Sequence, residues 1–228
     1  MKNIKKTGIL IVALVIPVFI YLFLKGFGTN HYKLPRFIPQ IDSTNDAPII
    51  KNGDTLFRTI PDFSLIDQEG KVFDQTKTKG KIYVADFIFT RCASICPQMS
   101  KQLSRFQDTF SNQNNVLIVS HSVDADYDTP NVLTAYAKEY DAEKGKWYFL
   151  TGDKKQIYNL AHKGYFIPLQ ETEGETDPNN TFTHSERLIL IDWNGVIRGF
   201  YDGTDKKDVD RLILETKILV DIKKDKNE

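Results

Sequence analysis

Cys92 and Cys96, in the run Asp86-Phe-Ile-Phe-Thr-Arg-Cys92-Ala-Ser-Ile-Cys96-Pro97, are the two cysteines of this 228-residue chain. They stand where an apolar strand runs into a helix, and a spacing of four across a helix start brings both sulfurs to one face. Thiols so placed can close a disulfide or hold one soft metal ion. A disulfide here would close a loop of only a few residues and constrain the unfolded chain little, so structure alone is a poor reason for it. Two thiolates are soft ligands of the kind that suits Cu(I). Zinc is the chemical rival; a catalytic zinc site needs a nearby general base, which the sequence does not identify. The helix N-terminus beyond Pro97 favours the thiolate, which assists metal binding and disulfide exchange equally.

The other candidate residues differ in weight. His31 falls in an N-terminal tether and reads as solvated, and His162 ends a helix, where a positive ring complements the dipole. His121 lies near the C-terminal end of a strand, at the edge where parallel sheets gather functional groups, and reads either as a neighbour of the site or as ordinary packing. His184 ends a long acidic loop from Leu169 to Thr183 that carries Glu171, Glu173, Glu175 and Asp177. That loop reads either as a solvated surface loop or, should His184 hold a metal, as one mobile without the ion and ordered with it. Asp124 and Asp128 read as turn and capping residues, Asp128 standing just before Thr129-Pro130, with a lesser reading of Asp124 as orienting a ligand or meeting a partner. Asp86 lies in an apolar strand, where a carboxylate needs a partner or a raised pKa; it either faces an edge or is proton-linked to the cysteines. Met99 shares helical spacing with Leu103 and Phe106 and belongs to the core.

The elements that must position these residues follow from periodicity. Residues from Pro61 alternate as a β-hairpin turning at Glu69-Gly70. Lys81 to Thr90 is a near-continuous β-branched run, as expected of a central strand covered on both faces. A helix follows Pro97, with Met99, Leu103, Phe106 and Phe110 on one side. A strand from Val116 to Val123, a helix from Thr129-Pro130 to Tyr140, a strand from Trp147 to Leu150 and a short helix from Asp153 to His162 come next. The pattern predicts a mostly parallel sheet with right-handed crossovers. Arg187 to Asp192 and Val196 to Tyr201 then form a hairpin about Trp193-Asn-Gly195, and a helix from Lys206 to Val220 covers it.

Lysine plus arginine equal aspartate plus glutamate at 30 each, so no basic excess points to nucleic acid. After Lys2, Lys5 and Lys6, the run from Gly8 to Leu24 carries no charge and reaches roughly 25 Å as a helix. It reads as a single transmembrane anchor, with the basic N-terminus in the cytoplasm and the remainder outside. A cleaved signal peptide is the rival reading, but no small-x-small cleavage site precedes Lys25. The expected organisation is a cytoplasmic stub and anchor over 1–28, an extended tether over 29–54, a folded domain over 55–222 and a charged tail over 223–228. Outside the cytoplasm, paired thiols oxidise unless a reductant or a metal holds them apart.

A hairpin, a β-α-β unit with cysteines at its first strand-helix junction and a closing β-β-α unit resemble a thioredoxin-like α/β fold. Within that class the chain resembles the Sco (SenC) family of membrane-anchored copper proteins. The resemblance rests on Asp86-Phe-x-Phe-Thr-x-Cys92-x-x-x-Cys96-Pro97, on Val123-Asp124-Ala-Asp-Tyr-Asp128-Thr129-Pro130, and on Thr183-His184-Ser185 leading into Leu188-Ile-Leu-Ile-Asp192. Ala93 stands where many relatives have proline, and Asp126-Tyr127 replaces a segment that commonly contains arginine. The resemblance implies that Cys92, Cys96 and His184 bind one copper ion, Cu(I) or Cu(II), for the dinuclear copper centre of cytochrome c oxidase. It implies as partners an oxidase subunit and an upstream copper donor or thiol reductant. The alternative is a membrane-anchored thiol-disulfide oxidoreductase using Cys92 and Cys96, and the shared fold also admits a thiol peroxidase.

Overall fold

The computed structural model describes residues 12–23, 34–170, 172 and 185–225, in two compact units, Met1–Lys33 and Leu34–Glu228. In the first unit, residues 12–23 form a helix, α1, whose side chains are all exposed. Among the described residues no helix is long and apolar enough to cross a membrane. The described stretch reaches about 18 Å at 1.5 Å per residue. The other positions of the expected anchor, and His31, lie outside the described residues.

The second unit is built on a seven-stranded mixed sheet. Its strands are β3 (Ser64–Asp67), β4 (Val72–Asp74), β5 (Ile82–Ile88), β6 (Val116–Ser122), β7 (Trp147–Thr151), β8 (Arg187–Ile191) and β9 (Ile197–Asp202), ordered β4-β3-β7-β6-β5-β8-β9. The three central strands, β5, β6 and β7, run parallel, and the hairpins β3–β4 and β8–β9 add antiparallel flanks. Every residue of β5 and β6 is buried, which is why both open on apolar runs rather than alternations, with Asp86 in β5 and Ser120, His121 and Ser122 in β6 as buried polar residues. The β3–β4 turn falls where the sequence places it, with Gly70 at φ +76°, a conformation that L side chains rarely adopt.

Right-handed crossovers carry α2 (Cys96–Thr109) and α3 (Pro130–Glu139) to the same face of the sheet. The hydroxyls of Ser100 on α2 and Tyr136 on α3 meet there at 2.9 Å. Met99, Leu103 and Phe106 turn inward from α2, so the expected helical stripe is the core-facing one. The last helix, α5 (Lys206–Asp225), buries Val209, Leu212, Leu219 and Val220. On the opposite face, α4 (Lys154–Asn159) runs into a π-helical turn, Leu160–Tyr165, and the Tyr165 hydroxyl meets that of Tyr83 at 3.2 Å. His162, expected only to complement a helix end, sets Nε2 against the Leu169 main chain, 2.6 Å from its carbonyl oxygen and 3.0 Å from its nitrogen, and so fixes the chain as it leaves this turn.

The expected tether differs most. From Leu34 the chain is packed rather than extended, and residues 34–54 belong to the folded unit. Buried Leu34 enters the core, and the Phe37 N–H donates to the Ile197 carbonyl at 3.0 Å. The cause is Arg198 on β9. Its buried guanidinium donates to the carbonyls of Leu34 (2.6 Å) and Pro35 (2.8 Å) and to Asp192 (3.0 Å). A buried cation requires such partners, and the main chain of the N-terminal segment supplies two of them. Beyond it, β1 (Ile50–Lys51) and β2 (Asp54–Thr55) pair as a separate small hairpin.

Candidate metal centre

Strand β5 ends at Ile88, and the chain passes through Thr90 and Arg91 to Cys92 before Cys96 opens α2, with Pro97 in the first turn. Proline suits that position because its missing N–H would have no intrahelical partner there. Both cysteines are buried, and they are not joined in a disulfide. The Cys92 sulfur lies 3.6 Å from the Ser94 hydroxyl. The Cys96 thiol, together with the N–H groups of Cys96 and Ser94, draws the Cys92 thiol down to about 4. Cys96 moves the opposite way: its proton is held by the Cys92 sulfur, and burial and the charge on Cys92 add to the shift. A helix N-terminus alone would favour both thiolates; side by side the two diverge, Cys92 drawn toward the thiolate and Cys96 toward the thiol.

The segment before Cys92 is held from one side by the loop after β6. Asp124 accepts from Nε and Nη2 of Arg91, at 3.0 and 2.6 Å, and the same guanidinium lies over the Tyr127 ring at 4.2 Å. Asp128 is fully buried and accepts from the Thr90 hydroxyl (2.5 Å), the Thr90 N–H (3.1 Å) and the Ser122 hydroxyl (2.5 Å). The expectation that Asp128 caps the following helix is therefore corrected: Thr129 is the cap, accepting from the Val132 N–H. Asp124 does form the expected turn, its carbonyl accepting from the N–H groups of Tyr127 and Asp128. Thr90 and Arg91 carry no sequence signal of these contacts, because both bonds close across more than thirty residues.

Asp86 is central rather than edge-facing. Its register partner is Ser120, whose hydroxyl donates to Oδ1 at 2.6 Å and accepts from Trp147 Nε1 at 2.9 Å. Its Oδ2 has no partner among the described residues, and burial pushes the carboxyl up to about 7. The charge of Asp86 also contributes to the rise at Cys96. His121 points from the other face of β6, stacked on Phe87 with centroids 5.0 Å apart, so the strand alternation separates it from the cysteine side. Its Nε2 has no partner among the described residues, and burial drives the ring down to about 4.

These two groups predict opposing pH effects on stability. Between about pH 4 and 7 native Asp86 retains a proton that the unfolded chain has released, so stability falls as pH rises. Between about pH 4 and 6.5 the unfolded chain protonates His121 while the native ring stays neutral, so stability rises with pH. Each slope approaches about 1.4 kcal/mol per pH unit, and the two nearly cancel, leaving the rise with pH that Cys92 adds because its native thiol is drawn down to about 4. Stability from denaturant unfolding across this range is expected to rise with pH for the natural chain, more steeply for Asp86→Asn and less steeply for His121→Phe. Parallel profiles for all three would contradict the assignment.

Among the described residues no group of three or more His, Cys, Asp or Glu forms a metal-holding cluster. His184, the third ligand implied by the resemblance, and Glu171, Glu173, Glu175 and Asp177 lie outside the described residues. The chain resumes against the cysteine helix. The Gly203 N–H donates to the Glu186 carbonyl at 2.7 Å, and a Cβ on Gly203 would stand 3.0 Å from both Met99 of α2 and Leu188 of β8. A side chain at Gly203 would need Met99 or Leu188 to give by a few tenths of an ångström.

The sequence model of the SCO1/SenC family matches residues 52–219, which include both cysteines, the 123–130 loop and His184. The chain belongs to the Sco/SenC family. The SCO1 protein homolog of Bacillus subtilis is 31% identical to this Sco protein over 166 residues, covering 72% of this chain and 84% of the relative. Among solved structures, BsSco is a member of the Sco family of cytochrome c oxidase assembly proteins in which a disulfide switch has been identified. It is 30% identical with a TM-score of 0.60, over 70% of this chain and 91% of its own. Arabidopsis thaliana ScoI, solved with copper bound, is 28% identical with a TM-score of 0.59, over 73% and 99%. The thioredoxin-like α/β architecture read from the sequence is thus the architecture of this Sco protein.

Proposed function

We propose that this chain is a copper metallochaperone that binds one copper ion through Cys92, Cys96 and His184. It delivers the ion to the oxidase subunit that carries the dinuclear copper centre of cytochrome c oxidase. The observation that carries this reading is the pair of buried, unbridged sulfurs at the head of α2, one of them drawn to the thiolate form. A soft anionic sulfur is the ligand that Cu(I) prefers. Glu186, two positions after His184, approaches the start of α2 through Gly203, which favours His184 as the third ligand. Family membership and the copper-bound plant relative support the same cargo.

Residues 8–24 are read as one membrane-spanning helix, with the copper domain on the extracytoplasmic side of the inner membrane. The uncharged run and the wholly exposed apolar side chains of α1 support this reading. An upstream copper donor and a thiol reductant complete the partners. Titration of the reduced chain with Cu(I) against a competing chelator is expected to give one equivalent held per chain. Oxidation of Cys92 and Cys96 to a disulfide should remove that equivalent. Retention of tightly bound copper by the oxidised chain would contradict the reading.

The split between the two thiols favours a second role at the same site, as a thiol-disulfide oxidoreductase. Cys92 as thiolate attacks a target disulfide, forming a mixed disulfide and releasing one target thiolate, which takes up a proton. Cys96, losing its proton, then displaces the second target sulfur, leaving a reduced target and a Cys92–Cys96 disulfide for the thiol reductant to reopen. His184→Ala separates the roles: the reductase keeps its rate, whereas the metallochaperone loses its hold on copper.

A further inference from the structure

Two acidic residues of the 123–129 loop grip the two residues that precede Cys92. Asp128 is fully buried and spends three hydrogen bonds on Thr90 and Ser122, while Asp124 takes two from Arg91. Among the described residues no cationic side chain pairs with Asp128; hydroxyl and N–H donors hold it, and desolvation moves its carboxyl above the ordinary range. Burying a carboxylate in this way is costly unless its geometry is useful. The grip falls on two of the three residues between β5 and Cys92, the third, Phe89, accepting from the Cys92 N–H at 3.1 Å, while α2 begins at Cys96 on the other side.

We propose that the 123–129 loop is a clamp, and that Asp128 and Thr90 are positioning residues that hold Cys92 at the distance from Cys96 needed to share one ligand or bond. Asp124 with Arg91 forms the outer prong, and Tyr127 covers the guanidinium. The inference rests on the copper reading for its metal arm but not for its redox arm. A clamp that keeps two sulfurs together raises the effective concentration of one thiol at the other, so it favours copper capture and disulfide closure alike. Supporting contacts of this kind around a metal site typically change affinity 10- to 100-fold.

The test uses Thr90→Val, which keeps the side-chain volume and removes the hydroxyl, beside Asp128→Asn, Thr90→Ser and Ser122→Ala in the full chain. Cu(I) affinity is measured by chelator competition. The dithiol–disulfide equilibrium is measured against glutathione, in which glutathione disulfide is reduced to two thiols as Cys92 and Cys96 lose two electrons and two protons. Thr90→Val and Asp128→Asn are each expected to weaken copper binding by about 10- to 100-fold and to shift the redox equilibrium about tenfold toward the dithiol, roughly 30 mV. Their effects should not add in the double variant, because both remove one contact. Thr90→Ser should restore natural behaviour, and Ser122→Ala, which removes one donor to Asp128 but leaves the Thr90 bonds in place, should shift both readouts in the same direction as Thr90→Val and by less. Thr90→Val with both readouts unchanged would overturn the clamp. A chain that binds no copper at all but shows the redox shift would overturn the copper reading and leave the clamp standing.

Discussion

Cys92→Ser and Cys96→Ser each abolish tight copper binding by the reduced chain, lowering affinity by a factor of about 10³ or more, roughly 4 kcal/mol. The magnitude follows from the ligand count. A site of thiolate and imidazole ligands yields roughly 10–16 kcal/mol for a well-bound ion, so one soft ligand of three carries several kcal/mol. Serine cannot replace the sulfur, because its hydroxyl is hard and stays protonated at neutral pH. The two positions differ in their effect on the remaining thiol. Cys96→Ala, which unlike serine leaves no hydroxyl to donate in the thiol's place, removes the proton that holds Cys92 down, so Cys92 should react more slowly with an alkylating agent near pH 6. Cys92→Ser removes the anion that raises Cys96, and Cys96 should become easier to ionise. Alkylation rates against pH, measured beside copper stoichiometry, check both halves.

His184→Ala is expected to weaken copper binding by about 10²-fold while leaving the dithiol chemistry intact. A neutral imidazole is a weaker partner for Cu(I) than a thiolate, so the loss is smaller than at either cysteine. It carries a pH signature that the cysteine variants lack. An imidazole must lose its proton to coordinate, so the natural chain should release copper more readily as pH falls through about 6.5, the ordinary histidine value. His184→Ala should lose that part of the pH dependence, and chelator competition between pH 5.5 and pH 8, a range set by the titration of histidine, reads it directly. An unchanged affinity and pH profile in His184→Ala would remove His184 from the site.

Much of the fold is legible in local pattern. The buried strands β5 and β6 are long β-branched runs, the inward stripe of α2 repeats at helical spacing, and Gly70 and Gly195 mark the turns of the two hairpins. What is not legible depends on partners far away in sequence. Residues 34–54 read as a tether because three prolines interrupt them, and only the carbonyl demands of Arg198 draw them onto β9. Asp128 reads as a helix cap because it precedes Thr129-Pro130, yet it is turned inward by the Thr90 hydroxyl. At the site, the positions of Cys92 and Cys96 could be read from spacing alone. The divergence of their thiols could not, because it depends on which sulfur faces the N–H groups of Ser94 and Cys96.

X-ray absorption at the copper edge of the reduced, Cu(I)-loaded chain tests the central claim most directly, with His184→Ala measured beside it. The account predicts two sulfur scatterers and one imidazole nitrogen around a single copper in the natural chain, with the nitrogen lost and both sulfurs retained in the variant. A first shell with fewer than two sulfurs, or an imidazole signal that survives His184→Ala, would contradict it.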